Sequence, residues 1–143
     1  MFHVGWGDLD SNGHMKNTSY LDKAADVRMF YFESRGFSMR EFERLHVGPV
    51  IFRDELDYYR ELKLLEAIDV TLEVAGLSDD GFRFRLRNEF FGPRGKLAAR
   101  VTSAGGWLDL SMRKLTRPPA ELAGAMAALE RTGDFGVLPG ESG

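Results

Sequence analysis

Apolar and polar positions alternate from Phe2 to Trp6, with Phe2, Val4 and Trp6 on one side and His3 and Gly5 on the other. That period predicts a short half-buried strand. The run Gly7-Asp8-Leu9-Asp10-Ser11-Asn12-Gly13 that follows is dense in turn formers and predicts a loop. From Thr18 to Arg35 the spacing becomes helical. Asn17 or Thr18 is placed to cap this helix, Ser19 and Asp22 have capping-box spacing, and Gly36 is a natural stop. Its apolar residues, from Tyr20 to Phe32, spread beyond one narrow stripe, so the helix is expected to be wrapped by other structure. Ser38-Met39-Arg40-Glu41 is a second capping box and opens a short helix ending near Leu45.

Beyond Pro49 the period drops to two. Phe52, Leu56 and Tyr58 share a face, and Asp54 intrudes on it, where a bulge would turn it outward. Ile68, Val70, Leu72 and Val74 alternate with polar residues, as do Phe82, Phe84, Leu86 and Phe90. A fourth long strand is expected from about Lys96 to Leu110, with a bulge at Gly105-Gly106. Ser78-Asp79-Asp80-Gly81 and Gly92-Pro93-Arg94-Gly95 are short enough for hairpins, which makes these neighbours antiparallel. Pro118 and Pro119 start a last helix over 118–132. Residues 133–143, with four glycines and little apolar content, are expected to be a mobile tail. One apolar helix against an antiparallel sheet defines an α+β domain over residues 1–132.

The 143 residues suit one domain. The absence of cysteine excludes disulfides, thiolate metal sites and cysteine nucleophiles, and fits a reducing cytoplasm. The net charge of −3 argues against nucleic-acid binding. No apolar run approaches a membrane span and no signal-peptide layout opens the chain, so a cytoplasmic protein is the expectation, with no membrane partner.

The stretch Asp8-Leu9-Asp10-Ser11-Asn12-Gly13-His14-Met15-Lys16-Asn17-Thr18-Ser19-Tyr20 resembles the signature loop of hotdog-fold thioesterases. It is similar to the 4-hydroxybenzoyl-CoA thioesterase family, which has an Asp-x-Asp-x-x-Gly stretch before a central helix and a tyrosine ten residues past the second aspartate. Here these are Asp8, Asp10, Gly13 and Tyr20. Asp57-Tyr58-Tyr59-Arg60-Glu61-Leu62 resembles the family's second-strand segment, and the likeness covers roughly residues 1–119. It implies an antiparallel sheet wrapped around a long central helix, and hydrolysis of acyl-CoA thioesters. It also implies that Asp10 attacks the thioester or activates water, and that a helix N-terminal amide near Asn17 polarises the carbonyl. A homodimer or homotetramer with the site at a subunit interface follows from the same likeness, with no cofactor beyond the CoA of the substrate.

The residues suit that chemistry. Thioester hydrolysis needs a nucleophile or base and a means of holding the oxyanion. A helix start offers unpaired N–H groups and a partial positive charge, and both favour an ionised aspartate nearby. Asp8 is expected to fix the loop, and His14 either meets the substrate or braces the loop. Arg113, Lys114 and Arg117 are candidates for the CoA phosphates. The stripe Arg83, Arg85, Arg87 reads as a solvated face. Asp8-x-Asp10-x-Asn12-Gly13 imitates half an EF-hand, but Ser19 stands where that loop needs a bidentate glutamate. No histidine pair has metal-ligand spacing, and no metal is expected. Two rivals remain: a non-catalytic hotdog that binds acyl-CoA or a partner, and a hydroxyacyl-thioester dehydratase of the same fold.

Overall fold

A computed structural model describes residues 1–140. The chain starts with a two-residue strand, β1 (Phe2–His3), followed by a 3₁₀ turn at Trp6–Asp8. The long helix α1 (Asn17–Ser34) and the short helix α2 (Met39–Leu45) come next. Five strands follow: β2 (Val47–Tyr58), β3 (Ala67–Val70), β4 (Glu73–Ser78), β5 (Arg83–Phe91) and β6 (Leu97–Asp109). A two-residue strand β7 (Lys114–Leu115), helix α3 (Ala120–Ala127) and strand β8 (Arg131–Leu138) complete the chain. In the sheet β6 lies between β2 and β5, β5 is followed by β4, and β4 carries β8. The strand pairs are antiparallel except β4 with β8, which is parallel. No helix among the described residues is long and apolar enough to cross a membrane.

Four expectations need correction. The first strand ends at His3: Val4 is buried, but the chain then turns and leaves Trp6 82% exposed. The run from Ile68 to Val74 is broken into β3 and β4, because β5 pairs with each separately. The last helix is shorter than 118–132. The expected tail is ordered through β8, because the outer edge of β4 gives it backbone partners and Arg87 grips Asp134 through two hydrogen bonds. Its last three positions, 141–143, lie outside the described residues.

The bulge expected at Gly105-Gly106 is not found there, whereas the one expected to turn Asp54 outward is on β2. Ile51 faces Gly105 and Arg53 faces Ala104, so the extra residue is Phe52 on β2. Gly105 is needed opposite it, since a Cβ there would sit 2.1 Å from the Val50 carbonyl oxygen. Asp54 is exposed beyond the bulge and accepts a hydrogen bond from the Ser103 hydroxyl.

In the single chain α1 is not wrapped on all sides. It buries Tyr20, Ala24, Arg28 and Phe32, a stripe spaced by four, against the sheet, and leaves Phe30 65% exposed. Tyr20 and Ala24 belong to one apolar cluster with Phe90, Ala99 and Val101, while Phe32 belongs to a second with Phe84, Leu86 and Trp107. Between them lies a polar layer. The Arg28 guanidinium donates to Asn88 Oδ1 (3.2 Å) and Ser103 Oγ (2.5 Å), and Asn88 Nδ2 donates to the Thr71 carbonyl (3.0 Å). Burial lowers the Arg28 pKa, and Asp54 pulls in the opposite direction.

Candidate active site

The loop ahead of α1 is shaped by its own aspartates. Asp8 Oδ2 accepts from the Gly5 N–H (2.8 Å) and lies 3.1 Å from Lys23 Nζ on α1, tying the 3₁₀ turn to the helix. Burial pushes the Asp8 pKa up, but the Gly5 amide, Lys23 and the Ser19 hydroxyl outweigh it, and the net result is a lowered value. Asp10 Oδ1 accepts from the backbone N–H groups of Asn12 (2.8 Å) and His14 (3.1 Å), an Asx-type turn closed by Gly13 at φ 79. These amides, His14 first, hold the Asp10 carboxyl below the usual carboxylate range. Oδ1 is thus committed to the loop, and Asp10 itself remains exposed.

Helix α1 begins without a side-chain cap. Lys16 occupies the N-cap position, and neither Asn17 nor Thr18 serves there. The backbone N–H groups of Ser19 and Tyr20 reach the Lys16 carbonyl, whereas those of Asn17 and Thr18 have no acceptor among the described residues. An uncapped first turn is where an anionic oxygen is best received.

Asp10, His14 and Asn17 line one open hollow of about 540 Å³. Its far wall is the end of β2 and the segment after it, Tyr58 to Leu62. His14 Nε2 is 3.1 Å from Glu61 Oε2, and the backbone of His14 bridges to Lys63, so the histidine ties the loop to this wall. Tyr20 forms the floor, edge-on to Tyr58 (centroids 5.6 Å) and Phe90 (5.2 Å). Burial, with Tyr58 adding to it, pushes the Tyr20 hydroxyl up to about 12, so it stays protonated.

The basic candidates lie elsewhere. Tyr58 pairs with Ala99 at one end of β6, and Lys114 pairs with Asp109 ten positions further along. At about 3.3 Å per residue the two ends are some 33 Å apart, so Arg113, Lys114 and Arg117 do not meet Asp10 within one chain. Arg117 Nε instead donates to the Asp80 carbonyl (3.1 Å). Of the arginine stripe, Arg87 is engaged structurally, bound to Asp134 and Thr102. Sequence reading did not single out Glu61 as the partner of His14, nor Arg28. Asn88 and Ser103, polar residues at inward positions of β5 and β6, were the available signal for a buried cation.

This sheet, with its long helix laid across one face, is the hotdog architecture. A family model described as the thioesterase-like superfamily matches residues 4–126, and the chain belongs to that superfamily. Solved structures agree on the fold. A Staphylococcus aureus protein, SAV2348, solved in complex with CoA, is 24% identical over 88% of this chain and 78% of its own, with a TM-score of 0.80. Slr0204, a 1,4-dihydroxy-2-naphthoyl-CoA thioesterase from Synechocystis, is 17% identical over 90% and 93%, with a TM-score of 0.78. The BH1999 gentisyl-coenzyme A thioesterase is 18% identical over 85% and 95%, with a TM-score of 0.75. No curated protein sequence matches the chain.

Proposed function

We infer that the chain hydrolyses acyl-CoA thioesters in the hollow between the Asp10 loop and the end of β2. One observation carries this reading: a carboxylate kept ionised and Asn17, a helix-start residue whose N–H has no acceptor among the described residues, line the same hollow. The thioester carbonyl oxygen is placed against the Asn17 end of α1, where negative charge developing on it meets fixed donors. Asp10 then acts in one of two ways. It takes a proton from a water that attacks the carbonyl carbon, or it attacks directly and forms an anhydride that water opens. In both cases the C–S bond breaks, the CoA thiolate leaves and takes up a proton, and a carboxylic acid remains. His14, held by Glu61, braces the loop beside this site. The reading needs no metal or cofactor beyond the CoA of the substrate, and it places the protein in the cytoplasm. It also calls for a homodimer or homotetramer: among the described residues β2 is paired only with β6, so its other edge is open to a second copy.

The test is free-thiol release from a panel of acyl-CoAs. Asp10→Asn is expected to lower kcat by about 10²–10⁴-fold while leaving the melting temperature unchanged within a few degrees. Undiminished turnover in that variant would remove Asp10 from the chemistry. One observation favours a second reading. His14 and Glu61 form a histidine–acid pair, which dehydration of a hydroxyacyl thioester requires. In that case an enoyl-CoA would gain water with no thiol released.

A further inference from the structure

Beside the Asp10 hollow lies a second one of about 490 Å³, and the two share Arg60, Glu61 and Leu62. Its remaining walls are Lys63 and Glu66 from the turn before β3, and the β5–β6 hairpin from Gly92 to Lys96. Four cations line it, Arg60, Lys63, Arg94 and Lys96, against two acids, Glu61 and Glu66. Both acids are already engaged. Glu61 faces His14, and Glu66 Oε1 accepts from the Lys63 backbone N–H at 2.6 Å. None of the four cationic side chains has an ion-pair partner among the described residues. Some arginines elsewhere on the surface are paired, as with Arg44 and Glu41, Arg53 and Glu55, and Arg100 and Glu89, but the four here are gathered around one concavity. Unpaired cations gathered around a concavity match an anion that carries several charges.

The hairpin is built to present its arginine. Arg94 has φ 65 and ψ 19, a left-handed conformation that side chains other than glycine disfavour, and Gly95 follows it at φ 66. Gly92 backs onto Leu62 so closely that a Cβ would come within 2.7 Å of Leu62 Cδ2. The basic hairpin is therefore packed directly against the ridge that separates the two hollows.

We propose that this second hollow binds the phosphates of the coenzyme A half of the substrate through Arg60, Lys63, Arg94 and Lys96, while the thioester lies beside Asp10 next door. The inference rests on the acyl-CoA reading above and deepens it. CoA offers a diphosphate and a ribose 3′-phosphate at the far end of its pantetheine arm, so a cationic hollow adjoining the reaction site suits its shape and charge. The Arg113–Arg117 cluster is its rival, and the experiment compares the two.

Full-length protein is titrated calorimetrically with CoA, dephospho-CoA and pantetheine. Arg94→Glu/Lys96→Glu is expected to weaken CoA binding about tenfold or more, dephospho-CoA less, and pantetheine not at all. The milder Arg94→Gln/Lys96→Gln keeps the test sound should charge reversal disturb folding. In turnover the same variants raise KM and leave kcat in place. The site is overturned if CoA affinity is unchanged in both variants, if pantetheine weakens equally, or if Arg113→Glu/Lys114→Glu weakens CoA instead. A protein that shows the predicted CoA pattern yet releases no thiol keeps the phosphate site and loses the hydrolase. One that hydrolyses acyl-CoA with its CoA affinity untouched in the hairpin variants does the reverse.

Discussion

Asp10 gives one carboxylate oxygen to the His14 and Asn12 amides, and these lower its pKa below the ordinary 3.8. A lowered carboxylate pKa means the ionised form is favoured in the folded chain. Its contribution is fully present above the ordinary value and is lost as pH falls through the depressed one. If Asp10 acts as a base or nucleophile, kcat/KM should stay level across neutral pH and begin to fall only below 3.8. A pH–rate profile from 3 upward checks this, and an acid limb near neutrality would move the chemistry away from Asp10. At this scale the site was partly legible in the sequence, because Asp10, His14 and Asn17 lie within one short stretch and their loop chemistry is local. Glu61 was not legible as a partner of His14. It reaches the histidine only because the segment after β2 folds back alongside the loop, and no local spacing encodes that.

The elements were read best where a single face decides them. The burial of β5 alternates strictly, as its sequence does apart from Asn88 and Phe91, and Ser38 caps α2 through the Glu41 N–H as the capping box required. Reading failed where pairing rather than periodicity is in charge. β8 is rich in glycine, but it is held by the edge of β4, and its Gly136 sits opposite Gly76, where a Cβ would crowd Leu138. The β2 bulge expected to turn Asp54 outward is there, at Phe52, but the one expected at Gly105-Gly106 is not, because those glycines mark the strand that must yield space. Gly105→Ala should therefore be costly, since its methyl would collide with backbone at Val50 rather than with a movable side chain. A loss of about 1–3 kcal/mol is expected. Thermal denaturation should show it as a fall of several degrees, and an unchanged melting temperature would mean that β2 can shift freely at the bulge.

Across the whole molecule the open side of β2 and the exposed Phe30 of α1 leave the single chain with surface to cover. If the working form is a dimer or tetramer whose neighbouring copy completes the Asp10 hollow, specific activity should fall as the protein is diluted. It should fall in step with the loss of the larger species in sedimentation. Constant activity during dissociation would show that one chain suffices. The polar layer at Arg28 bears on how such a site keeps its dimensions. Hydrocarbon slides over hydrocarbon with little resistance, but a guanidinium that must find one asparagine and one serine does not. A slip of α1 by one turn, about 5.4 Å, would strand Arg28 among apolar rings and leave Asn88 and Ser103 without their donor. The helix is keyed to the sheet at its middle, and the spacing between its amino end and Tyr58 is set from within, well away from any substrate.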